Sequence, residues 1–191
     1  MSTTASTTIA SPETILAFWR EAGPDKWFTR DDAFDADIRE KFHSTYEAAA
    51  AGKLSAWEAT AEGALALAIV LDQFPRNMFR GTARAFATDA LALETARLAM
   101  QRGDDGTALP VERLFLYLPF EHSEALEDQE RACALTEPLP AFPETEDAHR
   151  YALAHRDVIR RFGRFPHRNA VLGRPSTPEE TEFLKRPGSS F

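Results

Sequence analysis

The chain has 191 residues, 43% of them hydrophobic and 27% charged, which suits one water-soluble globular domain with room for a core. Its formal net charge of −8 argues against a general nucleic-acid binder, because such proteins carry a basic excess. One cysteine, Cys133, excludes an intrachain disulfide; set among small and apolar neighbours, it reads as a buried structural thiol in a reducing compartment.

No apolar run approaches the roughly 20 residues that span a bilayer. The opening residues lack the basic and apolar regions of a secretory leader, so a cytoplasmic protein is expected. Residues 1–10 and 187–191 read as disordered tails flanking a single all-α domain over 11–186.

Ser11-Pro12 marks a first helix with Ile15, Leu16, Phe18 and Trp19 on its apolar face, closing near Gly23-Pro24. Trp27 and Phe28 follow in a loop. Thr29 is the expected cap of a second helix whose Phe34, Ile38, Phe42 and Tyr46 recur every four residues, closed by Gly52. Ser55 to Glu58 matches a capping box and opens a third helix, which runs as an uncharged stretch from Ala64 to Leu71. Such a helix is buried on most faces. Pro75 is expected to end or kink it. Asp72 then falls at the C-terminal end of a buried helix, where a carboxylate meets the negative end of the dipole and needs a cation or donors.

Thr88 or Asp89 starts a fourth helix with Leu91, Leu93, Ala96, Leu98 and Met100, closed by Gly103. Pro110 starts a fifth, which Pro119 is expected to interrupt just before Glu121-His122-Ser123-Glu124. Ser123 caps a sixth helix ending near Thr136. A proline-rich connection leads to a seventh from about Thr145 to Phe162, with Tyr151, Ala154, His155, Val158, Ile159 and Phe162 on one face. Thr177-Pro178-Glu179-Glu180 is a capping box for a short last helix. No alternating run suggests a strand, and short loops between consecutive helices suggest stacked antiparallel hairpins, about eight helices in all.

One local repeat stands out. Phe74-Pro75-Arg76-Asn77, followed by Gly81, resembles Phe165-Pro166-His167-Arg168-Asn169, followed by Gly173. Both copies form the same helix-terminating turn, or both present Arg-Asn pairs to one anion. Histidine suits proton transfer near neutral pH, which draws attention to His122 beside Glu121 and to His155. Arg150 to Arg174 holds seven arginines and one acid, whereas Glu121 to Asp147 holds nine acids and one arginine. Internal pairing is the simplest account; arginines near helix ends also suit a carboxylate or phosphate. Motifs for phosphate loops, zinc peptidases, serine hydrolases and paired cysteines are absent, and no metal or cofactor is expected.

The segments LDQFPRNMFRGTARAFATD, YLPFEHSE and HRDVIRRFGRFPHRNAVLGRPSTPEETEFL together resemble the bacterial family known as domain of unknown function 924, from about Ser11 to Leu184. The resemblance implies a tetratricopeptide-like, right-handed stack of helix hairpins. It implies no activity and no catalytic residue.

The first functional expectation is a binding module with a groove lined by Asp72, Arg76, Asn77, Glu121, His122, His155, His167, Arg168 and Asn169. Its ligand would be a small anionic or zwitterionic molecule or a peptide end. The second is an acid–base enzyme, hydrolase-like, with His122 or His155 as base, Asp72 or Glu121 as orienter and Arg76 or Arg168 as anion stabiliser. The third is a scaffold for a protein partner. Neither nucleic acid nor membrane is expected as a partner, and the oligomeric state is left open.

Overall fold

Ser11 opens the first helix, α1 (Pro12–Ala22), by accepting a hydrogen bond from the Thr14 N–H, and Gly23 closes it at φ 70°. In the computed structural model residues 8–189 are described, and all regular structure among them is helical. Residues 1–7 and 190–191 of the expected tails lie outside the described residues. Of the remainder, Ala10 N–H donates to Thr45 Oγ1 at 2.9 Å, and Ser189 is buried with its hydroxyl on the Leu184 carbonyl. Within residues 11–186, expected as one domain, the contacts group into two compact units. One contains Arg84–Ala108 and the described residues before Gly81; the other contains Gly81–Ala83 and the described residues from Leu109 on. No described helix is long and apolar enough to cross a membrane.

In the first unit, Trp27 does not lie in a loop. It ends a one-turn helix, α2 (Pro24–Trp27), stacks on Trp19 and donates its indole N–H to the Trp19 carbonyl at 2.7 Å. Helix α3 (Asp32–Ala50) is capped by Asp31 rather than Thr29, because the Asp31 carboxylate reaches the N–H groups of both Ala33 and Phe34. The stripe Phe34, Ile38, Phe42 and Tyr46 is buried as expected. Phe42 stacks on Phe74, with Phe18 and Trp19 around the same ring.

The Ser55 segment is a 3₁₀ turn (Ser55–Ala59), not a helix start. Thr60 caps α4 (Ala61–Ala68) by accepting from the Gly63 N–H. No residue from Ala64 to Leu71 is more than 4% exposed. Pro75 does not end this helix. The chain passes through a wide π turn, Ile69–Gln73, into α5 (Phe74–Met78). Proline has no N–H to offer the Leu71 carbonyl four residues back. The Thr88 hydroxyl takes that acceptor instead, at 2.6 Å. Helix α6 (Asp89–Arg102), closed by Gly103 at φ 75°, buries Ala92, Thr95, Ala96 and Ala99. Of the apolar residues named for it, Ala96 is buried, Leu93, Leu98 and Met100 are half-buried, and Leu91 is 42% exposed. Small side chains on α6 meet an equally alanine-rich α4, which packs against it.

In the second unit, α7 (Pro110–Glu121) runs straight through Pro119, contrary to the expected interruption. Burial of Leu114, Phe115, Leu116 and Phe120 outweighs the one intrahelical bond that proline removes. Helix α8 (Leu126–Thr136) begins three residues after Ser123, whose hydroxyl accepts from the Ala125 N–H and donates to Asp128. The following helix, α9 (Ala148–Phe162), starts later than Thr145, which sits in a 3₁₀ turn with its hydroxyl on the Leu139 carbonyl. Helix α9 packs against α8 and α7. Its inner face is Ala152, His155, Val158 and Ile159; Tyr151 and Ala154, expected there, are exposed. Phe165 completes this core, with Phe162 and Phe183 against it. The Thr177–Glu180 capping box forms as expected and opens α10 (Pro178–Phe183).

Candidate functional site

The candidate residues fall into two sets, one in each unit. Asp72, Arg76 and Asn77 lie in the first. Asp72 sits in the π turn, inside a continuing helical path, so the expected clash with a helix C-terminus does not arise. It is 1% exposed, accepts from Gln73 Nε2 at 2.6 Å and lies 3.3 Å from Arg76 Nη1. Arg76 also grips Asp89 through two hydrogen bonds, 2.8 and 3.1 Å. Burial works against the Arg76 charge, and Asp72 and Asp89 outweigh it, so its pKa is held above the ordinary arginine value.

The two Phe-Pro-Arg-Asn copies differ in backbone. The first is α-helical and the second is a 3₁₀ turn, Pro166–Arg168. Both reach a glycine with positive φ, Gly81 at 76° and Gly173 at 66°. They agree in what the asparagine does. Asn77 Nδ2 donates to Asp35 at 2.7 Å, and Arg80 forks the same carboxylate at 2.8 and 2.9 Å. Asn169 Nδ2 donates to Glu180 at 3.3 Å, and Arg164 forks that carboxylate at 2.6 and 2.8 Å. Each asparagine thus helps an arginine neutralise a buried acid. The Arg164 fork, opposed by burial and aided by the Thr177 N–H and Asn169, holds the Glu180 carboxyl down at about 2.

Asp35, Arg80, Arg164 and Glu180 were not among the residues expected from sequence. The signal for Asp35 was its position: it shares the face of α3 that carries Ile38 and Phe42. An acid on an apolar stripe needs donors. Arg80 follows Arg76 at helical i,i+4 spacing. Glu180 was legible only as half of a capping box.

The second unit gathers Glu121, His122, His155, His167 and Arg168. His155 on α9 is 5% exposed; its Nδ1 lies 2.9 Å from Glu121 Oε1 and 2.9 Å from the Tyr151 carbonyl. A carbonyl only accepts, so Nδ1 carries a proton, and Nε2 is the ring nitrogen left to gain or lose one. The His155 ring lies 6.3 Å from that of His122, which closes α7, and 5.6 Å from Phe165. Phe165 is in turn 5.6 Å from His167, and Arg168 stacks over it at 4.6 Å. Arg168, buried, donates to the His122 carbonyl at 3.0 Å. His155 Nδ1 thus has the Glu121 carboxylate within hydrogen-bond reach, and both side chains are buried.

The remaining arginines of the basic stretch are taken up by acids. Arg150 pairs with Asp147, Arg156 with Asp157, Arg160 with Glu130, Arg161 with Glu179 and Arg174 with Glu124. Burial raises the Cys133 thiol above its ordinary pKa, which keeps it protonated and unreactive. Among the described residues no group of three or more His, Cys, Asp or Glu is placed to hold a metal.

The family described as bacterial protein of unknown function (DUF924) matches residues 15–188. A solved structure, that of a protein of unknown function from Agrobacterium tumefaciens, is similar at 47% sequence identity and a TM-score of 0.86, over 91% of this chain and 96% of that one. No curated protein matches the chain.

Proposed function

The chain belongs to the bacterial family of unknown function DUF924, and from that premise we propose that it is a binding protein for a small anionic or zwitterionic ligand, or for a peptide end. The site is the cluster of Glu121, His122, His155, His167 and Arg168 in the second unit. One observation carries the reading: a carboxylate-oriented histidine and a buried arginine, Arg168, gather around a single aromatic ring, Phe165. Arginine and protonated histidine recognise a carboxylate or phosphate, and Glu121 recognises an ammonium group. Asp72, Arg76, Asn77 and Asn169 are assigned to packing, because their side chains are engaged with buried acids or amides.

A screen of amino acids, carboxylates, phosphates and short peptides by thermal shift tests the reading. A ligand at a hundred times its Kd stabilises by about 2.7 kcal/mol, which raises Tm by about 5–10 °C for a chain of this size. Arg168→Ala is expected to abolish the shift. Wild type unmoved by the whole panel ends the proposal.

The 2.9 Å contact between Glu121 and His155 favours a second reading, an acid–base enzyme with His155 as base. It requires turnover of a ligand found in the screen, and loss of turnover with retained binding in His155→Gln.

A further inference from the structure

We infer that Gln129, on α8, is a positioning residue for the Glu121–His155 pair; the inference rests on the proposed site and deepens it. Helix α7 ends at Glu121, and the last carbonyls of a helix have no partners within it. Gln129 is 0% exposed and supplies them: its Nε2 lies 2.6 Å from the Glu121 carbonyl, 2.6 Å from that of Ser123 and 3.4 Å from that of Phe120. Rotating the amide by half a turn would set its oxygen against three acceptors, so its orientation is fixed. Gln129 Oε1 meets no donor among the described residues, so the group acts here through its N–H bonds alone.

Of the two carbonyls gripped at 2.6 Å, one belongs to Glu121, the residue whose carboxylate meets His155. One amide therefore fixes the backbone of Glu121 from α8, while the Glu121 side chain fixes the ring on α9. Ser123 and Asp128 hold the next stretch of chain in the same way. The carboxylate is placed by tying down the helix end that carries it, without any contact between Gln129 and His155 being needed.

Side-chain nitrogen and proton NMR of the histidines, in the free protein, tests this. Gln129→Met keeps the length of the side chain and removes both donors. Ala132→Gly, on the same helix, serves as the control for a loss of stability alone. Both variants are expected to lower Tm. Only Gln129→Met is expected to shift the His155 Nδ1 proton signal and move the ring nitrogens toward averaged tautomer values. His155 signals at wild-type positions in Gln129→Met, or an equal change in Ala132→Gly, overturn the inference. If Gln129→Met does not fold, the reciprocal measurement decides: His155→Gln is expected to shift the Gln129 amide protons, and unchanged protons overturn it. A failed ligand screen leaves these outcomes standing, and an unmoved His155 leaves the ligand reading to its own test.

Discussion

Asp35 receives three hydrogen bonds from Asn77 and Arg80 while lying on the buried face of α3. Removing the carboxylate strands an amide and a guanidinium together. Asp35→Ala is therefore expected to cost about 1.5–3 kcal/mol in urea denaturation, the range for hydrogen bonds to charged groups. Glu180 makes the parallel case testable by pH. Its folded-state carboxyl titrates at about 2, below the ordinary value of 4.5. A carboxyl depressed by folding contributes stability that is fully present above the unfolded value and is lost as pH falls through the folded one. The stability advantage of wild type over Glu180→Gln should be constant above pH 5, then shrink between pH 4.5 and 2. An advantage that is flat across that window means the Arg164 fork does not hold the carboxylate. At this scale sequence reading found the asparagines and the arginine beside them, but not their partners. Asp35 lies 42 residues from Asn77 and Glu180 11 from Asn169, both beyond the three- and four-residue spacings at which a helix sequence records side-chain contacts.

At the scale of elements, several helix ends were legible: Ser11, Gly23, Gly52, Gly103 and Thr177 act where their chemistry indicated, whereas Thr29, Ser55 and Ser123 do not cap the helices expected of them. Two expected breaks that do not form share one cause. Pro75 and Pro119 lie in runs so buried that packing overrides the local breaker. The Leu71 carbonyl that Pro75 cannot satisfy makes this measurable. Thr88→Val should cost about 1–3 kcal/mol by leaving a buried acceptor unpaired. Pro75→Ala restores an N–H at that level, so Thr88→Val should cost less in its background, and a double-mutant cycle reads the difference. Additive effects would show that Thr88 does not compensate for the proline. Gly63 gives a second element-scale outcome with its sign reversed from expectation. Glycine to alanine inside a helix ordinarily stabilises by about 1 kcal/mol. A Cβ at Gly63 would stand 2.1 Å from the Trp57 carbonyl oxygen. Gly63→Ala should instead destabilise, by about 1–3 kcal/mol as an overpacking change, seen as a lower urea midpoint.

Over the whole molecule, the separation of charge along the chain is plain in the sequence, and its meaning is pairing. Within the second unit, arginines of α9 and the segment after it meet acids of α8, its flanks and α10. These pairs are not equivalent. Arg160 and Glu130 are both about half exposed, so their attraction is weakened by water and by salt. Arg160→Gln should change stability by no more than about 1 kcal/mol, and the change should vanish in molar salt. Glu124 is built in more deeply: it accepts from the Phe165 N–H at 2.8 Å and from Arg174 at 2.7 and 3.0 Å. Burial raises its pKa, and Arg174 and the Phe165 N–H outweigh that and lower it. Glu124→Gln should cost more than Arg160→Gln, and the loss should persist in molar salt, because two fixed donors at Phe165 and Arg174 lose their charged acceptor. Equal, salt-sensitive losses for the two variants would mean that the charge pattern acts as a diffuse surface field, and that Glu124 does not tie Phe165 to the end of α7.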